Sequence, residues 1–370
     1  MKIFSRFQKI TIGKTFDRLF EEQTSILKTI CMKQFQQSIM YRFSLNLFFI
    51  FILSSFTFGF SQEIIEKKLP PSTLLPEKTA LLSNIVYKNN SIGKPVALDL
   101  YRPKKQTSEK LPVVIYVHGG AWAKGDKMVR ADNYIERFIL KLVEKNYAVI
   151  SIDYTLVSES VHFPLPIEDT KDAVRWVRKN TETYNFDPDN IGFFGVSSGA
   201  HLSLLAAYTS DNEFKGSPEL SPYSSKVNYV VDNFGPTDLN KLLHTRLGKV
   251  PVAIVGLFFK PIVEIRKNLV YGISGYDIND EKRKAIDYLE TVSPINDTEN
   301  GIPTFILHGN KDKVAPLKHS KKLTRKLKKQ NIEATLVVVK DGIHGFGTTD
   351  KAYMDQLNNE MIQFIEKHKK

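Results

Sequence analysis

Cysteine is almost absent: Cys31 is the only one in 370 residues. A chain that begins after residue 61 has no thiol at all, which excludes disulfides, a cysteine nucleophile, thiolate metal sites and a lipid-modified cysteine anchor. No internal repeat and no low-complexity tract is present. Only one run is apolar enough to raise the question of a membrane, residues 43–60, and Ser54, Ser55, Thr57 and Gly59 weaken it as a span. It follows Met40-Tyr41-Arg42 and ends with the small residues Gly59 and Ser61 before Gln62, the order of a secretory signal. Residues 1–39 then read as an upstream extension from a misassigned start, 40–61 as a signal peptide beginning at Met40, and 62–370 as one domain. The expected location is secreted or periplasmic, with no stable membrane insertion after cleavage.

What remains has an ordinary globular balance, 42% hydrophobic and 25% charged, and is long enough for one large core. The formal charge is +12, of which the first 61 residues carry eight Lys/Arg against three Asp/Glu, leaving +7. Basic residues gather between Lys318 and Lys329 around Leu317, Leu323 and Leu327. Without interleaved aromatics this is a solvated outer helix and no nucleic-acid surface.

Periodicity supplies the architecture. Ile135, Phe138, Ile139, Leu142 and Val143 recur at helical spacing between the apolar strands 113–117 and 148–152, a βαβ unit and therefore a parallel sheet. A second helix carries Asp169, Ala173, Trp176 and Val177, and Asp187-Pro188-Asp189-Asn190 turns the chain into the next strand. The fold class is α/β: a mostly parallel central sheet with helices on both faces. The excursion 239–289 contains a strongly apolar stretch bracketed by Pro251 and Pro261, and reads as a helical lid over the site, with core packing the alternative. Leu257, Phe258 and Phe259 are its candidate substrate contacts.

The chemistry centres on Gly195-Val196-Ser197-Ser198-Gly199, placed between the strand-like Ile191-Gly192-Phe193-Phe194 and a helix over 201–208. Such a setting holds a serine in a sharp turn, with glycines where a Cβ would collide between strand and helix. Ser197 is the candidate nucleophile. A serine needs a base, an orienting acid and donors for an oxyanion. The strand 113–117 runs into His118-Gly119-Gly120-Ala121-Trp122, whose small residues leave backbone N–H groups unobstructed; Gly119, Gly120 and Ala121 with Ser198 form the candidate oxyanion hole, and Trp122 is a candidate pocket residue. Asp312 follows the strand 304–307 and His344 follows 335–339, completing the order Ser197, Asp312, His344. Asp232, Asp238, Asp297 and Asp341 also lie between nucleophile and histidine; Asp341 is too close to His344 in sequence, and Asp238 after Gly235-Pro236-Thr237 suits a capping role. His118 and His308 end strands and read as loop anchors, and His201 as a packed histidine. Neither a metal nor a cofactor is called for.

From about Leu98 onward the chain resembles the α/β-hydrolases related to hormone-sensitive lipase, within them the branch of bifunctional feruloyl and acetyl-xylan esterases. The resemblance rests on Leu98-Asp99-Leu100-Tyr101-Arg102-Pro103, His118-Gly119-Gly120-Ala121-Trp122, Gly125-Asp126-Lys127, Asp153-Tyr154, Phe163-Pro164 with Glu168-Asp169, the serine elbow with His201-Leu202, Ser293-Pro294 and His308-Gly309-Asn310-Lys311-Asp312. Departures are Ala121 for a third glycine, Thr155 for the arginine that often follows Asp-Tyr, and Ser198 and Ala200 where Ala and Gly are frequent. The resemblance implies a Ser-Asp-His ester hydrolase acting on acetyl or hydroxycinnamoyl esters of polysaccharides, or on other short acyl esters. An arylformamidase, a peptidase of the prolyl-oligopeptidase type and a catalytically silent binding protein on the same fold are the alternatives.

Overall fold

A computed structural model describes residues 69–370 apart from 106, 107 and 348, and only the backbone of 249, 250, 254 and 258. The expected signal segment and the residues before it lie outside the described residues.

Eight strands form one sheet: β1 (Ala80–Asn89), β2 (Pro95–Arg102), β3 (Leu111–Val117), β4 (Ala148–Ile152), β5 (Phe186–Val196), β6 (Tyr229–Asn233), β7 (Thr304–Gly309) and β8 (Ala334–Val339). Their order is β1-β2-β4-β3-β5-β6-β7-β8. Strand β2 runs antiparallel to both of its neighbours, and from β4 to β8 every pairing is parallel.

Strand β3 shows why its sequence is apolar at every position rather than at alternate ones. Val113, Ile115 and Val117 pack on one face with Ala173 and Val177 of α2 (Leu165–Lys179) and Leu202 and Leu205 of α3 (Ser198–Tyr208). Val114 and Tyr116 pack on the other with Phe138 and Leu142 of α1 (Tyr134–Glu144). A strand covered on both faces has no polar side, and helices on both faces follow from it. Helix α1 begins where Asn133 Oδ1 accepts the Glu136 N–H at 2.9 Å, an N-cap that meets one of the free amides of the first turn.

Between β6 and β7 the chain forms α4 (Lys249–Phe258), α5 (Lys260–Ser274) and α6 (Lys282–Thr291). This excursion divides into two kinds of structure. Val270, Ile273, Ile278, Ala285 and Leu289 belong to the main core, and the Arg266 Nε–H donates to the Leu243 carbonyl at 2.7 Å. Helix α4, by contrast, rests against α5, and Leu257 is 81% exposed. Helix α7 (Lys318–Lys329) buries Leu323 and Leu327 and turns Lys318, Lys321, Arg325, Lys328 and Lys329 outward, and α8 (Lys351–Lys367) closes the face shared with α1. Among the described residues no helix is long and apolar enough to cross a membrane.

Candidate active site

The parallel strands end at one edge of the sheet, and the loops that leave β3, β5, β7 and β8 there carry the residues singled out from the sequence. Between β5 and α3 the chain reverses at Ser197, whose φ of 51° and ψ of −121° place it in a conformation that costs an L-residue about 1–3 kcal/mol. Two features hold it there. The Ser197 N–H donates to the Asn233 carbonyl at 2.9 Å. A Cβ on Gly199 would stand 2.1 Å from the Val117 carbonyl oxygen, so only glycine lets α3 pass so close to β3.

Ser197, His344 and Asp312 meet in one hydrogen-bonded chain. The Ser197 Oγ lies 2.9 Å from His344 Nε2, and His344 Nδ1 lies 2.7 Å from Asp312 Oδ2. A carboxylate only accepts, so Nδ1 carries the proton and Nε2 is left to accept from the serine. The other oxygen, Oδ1, accepts the backbone N–H groups of Val314 and Ala315, both at 2.9 Å. Burial alone raises the Asp312 carboxyl, but His344 and His308 outweigh it and hold the group well below the usual carboxylate range. The edge of Phe234 packs on the His344 ring at 4.7 Å between centroids, fixing the imidazole from the side.

The loop after β3 runs directly against the serine. A Cβ on Gly119 would lie 3.2 Å from Ser197 Cβ, and Gly120, Ala121 and Trp122 all have positive φ, 124°, 51° and 61°. Among the described residues, the amides of Gly119, Gly120, Ala121 and Ser198 have no protein acceptor. Free amides clustered beside a strained serine are suited to a developing negative charge.

His118 stacks on Tyr154 with ring centroids 4.3 Å apart, and its Nδ1–H donates to the Gly119 carbonyl at 2.7 Å, anchoring this loop. Burial lowers its pKa. The indole of Trp122, expected in the substrate pocket, is instead only 2% exposed: its Nε1–H donates to His201 Nδ1 at 3.2 Å, and Phe163 meets its edge. The positive φ turns the ring inward, making it a support of the loop. His201 donates from Nε2 to the Val292 carbonyl at 2.8 Å, and burial takes its pKa down to about 4, so it is a neutral packed histidine.

The rival acids lie elsewhere. Asp238 caps the short helix Leu239–Leu242 and pairs with Lys322 at 3.1 Å. Asp341 is exposed. Asp232 is fully buried, accepts the Gly235 N–H at 2.7 Å, and is pushed by burial up to about 7. Asp297 is likewise raised, to about 6, by burial. Of the candidate lid contacts, Leu257 and Phe259 pack into neither half of the core, and the side chain of Phe258 lies outside what the structure describes. Among the described residues no cluster of His, Cys, Asp and Glu is arranged to hold a metal.

Three loop-borne groups in this order on a doubly covered, mostly parallel sheet define an α/β-hydrolase with a serine elbow. Residues 98–327 match the BD-FAE family model, and the chain belongs to the BD-FAE family. It is 29% identical over 237 residues to the esterase LipQ of Mycobacterium tuberculosis, covering 64% of this chain and 50% of that protein. With the esterase LipC of the same organism it shares 26% over 283 residues, 73% of this chain and 64% of LipC. The chain thus spans about half to two thirds of the length of these relatives. Among solved structures, a truncated carbohydrate esterase from gut microbiota superposes with a TM-score of 0.62 at 27% identity, over 80% of this chain and 99% of that one. An acetyl ester-xyloside bifunctional hydrolase from Caldicellulosiruptor lactoaceticus shares the fold, with a TM-score of 0.57 at 19% identity.

Proposed function

We propose that this protein is a secreted serine hydrolase of carboxylic esters that works through an acyl-enzyme. The observation that carries the reading is the unbroken chain from Ser197 Oγ through His344 to Asp312, at 2.9 and 2.7 Å. In the first half-reaction Ser197 attacks the ester carbonyl while His344 Nε2 takes its proton and then returns it to the departing alcohol. Asp312 keeps His344 in the tautomer that can do this and stabilises its cationic form. Amides from Gly119, Gly120, Ala121 and Ser198 receive the oxyanion. Water, activated by the same histidine, releases the acid and restores the serine.

The substrate class we infer is acetyl or hydroxycinnamoyl esters of polysaccharides, or other short acyl esters. Its support is the BD-FAE membership and the likeness to a carbohydrate esterase. Helix α4 is the part of the excursion free enough to act as a lid.

The test is Ser197→Ala assayed on p-nitrophenyl acetate, acetylated xylan, methyl ferulate and N-formylkynurenine. Because the three groups act as a unit, kcat should fall on the order of 10³- to 10⁶-fold with folding intact, and fluorophosphonate labelling should disappear. Ester hydrolysis at the wild-type rate by the folded variant would remove the serine mechanism, and preference for N-formylkynurenine would move the protein to amide hydrolysis.

A further inference from the structure

His308 closes β7 four residues before Asp312, and its side chain is wholly buried. Its Nε2 lies 2.7 Å from the Ala315 carbonyl and 3.3 Å from Asp312 Oδ2, and its Nδ1 lies 2.7 Å from Ser320 Oγ on α7. A carbonyl can only accept, so Nε2 carries the proton. In the neutral ring Nδ1 is then an acceptor, and the Ser320 hydroxyl donates to it. Ala315 is gripped from both ends, its carbonyl by His308 and its amide by Asp312 Oδ1 at 2.9 Å. The ionisable groups packed around His308 are Asp312 on the loop that follows it, Asp232 on β6 and His319 on α7.

We propose that His308 is a positioning residue of the hydrolytic site: its imidazole, whose Nε2–H bonds the Ala315 carbonyl at 2.7 Å with Nε2 3.3 Å from Asp312 Oδ2, holds the carboxylate in line with His344 and moderates its basicity. This rests on the Ser197-His344-Asp312 reading. Asp312 Oδ2 accepts from His344 at 2.7 Å and has the His308 Nε2 beside it at 3.3 Å. Without the polar N–H of His308 nearby, the oxygen becomes more basic and grips the His344 Nδ1–H more strongly, which raises the proton affinity of His344. The acid limb of the kcat/KM profile then moves to higher pH, while the loosened loop lowers kcat. A residue that merely fills space would lower the amount of folded enzyme and leave that limb in place.

Two substitutions separate these roles. In His308→Gln the side-chain amide nitrogen can occupy the place of Nε2, whereas in His308→Asn it reaches only that of Nδ1, facing Ser320. With the full chain and p-nitrophenyl acetate, His308→Asn should lose about 10- to 100-fold in kcat with KM little changed, by analogy with the loss seen when the hydrogen-bond partners that orient metal-ligating side chains are removed. Its acid limb should move upward, and His308→Gln should restore most of the rate and the wild-type limb. Equal behaviour of the two variants, or a lowered kcat with an unmoved limb, overturns the proposal. If His308→Asn does not fold, Ser320→Ala supplies the same measurement: it removes the donor that fixes the ring, and it should shift the limb in the same direction by a smaller amount, an unchanged profile overturning the proposal. Ser197→Ala, run alongside, distinguishes the two levels of failure. Activity retained there dismisses the triad itself, whereas activity lost there with wild-type profiles in the His308 and Ser320 variants dismisses only the role of His308.

Discussion

Replacing Asp312 by Asn exchanges an oxygen for an NH₂ group, yet the structure makes the expected loss large. Oδ1 accepts two backbone N–H groups, from Val314 and Ala315, at 2.9 Å each. A carboxamide has a single oxygen, so that oxygen stays with the two amides and the NH₂ group falls where Oδ2 was, 2.7 Å from His344 Nδ1. There it can only donate. Nδ1 must become the acceptor, the ring proton moves to Nε2, and the Ser197 hydroxyl at 2.9 Å loses the base to which it donates. In a serine protease the corresponding change lowers kcat about 10⁴-fold, equivalent to about 5 kcal/mol of transition-state stabilisation. The escape is a flipped amide, which turns NH₂ toward two N–H donors and leaves both unsatisfied at about 1–3 kcal/mol apiece. Even the cheapest flip, about 2 kcal/mol, leaves a deficit of roughly thirty-fold. The assay is kcat on p-nitrophenyl acetate with the rate of fluorophosphonate labelling measured in parallel, since both need the activated serine. A folded Asp312→Asn protein within ten-fold of wild type on both measures would refute the tautomer argument.

Burial raises Asp232 to about 7 in the folded chain, whereas its unfolded value lies near 4. Between those values the folded state holds a proton that the unfolded state has released, so stability falls as pH rises through this window and levels off above it. Asp232→Asn should therefore gain on wild type between pH 4 and pH 8, by on the order of 4 kcal/mol at most; a constant difference in urea unfolding at the two values would contradict it. Leu257→Ala should leave stability within about 0.5 kcal/mol because the side chain is exposed, while changing kcat/KM unequally for short and long acyl chains if α4 caps the acyl group, each methylene contributing about 1–3 kcal/mol. An unchanged chain-length profile removes the lid. Protein recovered outside the producing cell should begin at Gln62 by intact mass spectrometry, and a species retaining residues 43–60 would point to a membrane anchor.

Most of the architecture was legible because buried parallel strands write themselves as apolar runs. The expected strand 148–152 coincides with β4, and 335–339 differs from β8 by one residue. Strand β1 was not legible: its pairing with β2 shifts register between Leu82 and Ile85 and again between Val86 and Lys88, which destroys the two-residue alternation that would have marked it. At the site, the order and post-strand positions of Ser197, Asp312 and His344 could be read from neighbouring residues alone. What could not be read depends on backbone direction. Trp122 lies beside an oxyanion loop in sequence, and only its φ of 61° turns the ring into the core. Phe234, in a Gly-Pro turn context, gives no sign that a φ of 48° will lay its ring against His344. His308 carried a partial signal, as a histidine ending a strand just before the acid, but its partners, Ala315 on the following loop and Ser320 on α7, could not be named.

The strand order has a consequence for how the site comes into being. Strands β3 and β5 are neighbours, so the amide-bearing loop and the serine are brought side by side by a pairing that lies within the first 200 residues. The acid and the histidine arrive with β7 and β8, at the far side of the sheet and late in the chain. During synthesis from the N-terminus, the serine exists for some 147 residues without a base. A chain interrupted before His344 therefore holds the strained serine without its histidine partner, and the three groups are assembled only once β8 has taken its place in the sheet.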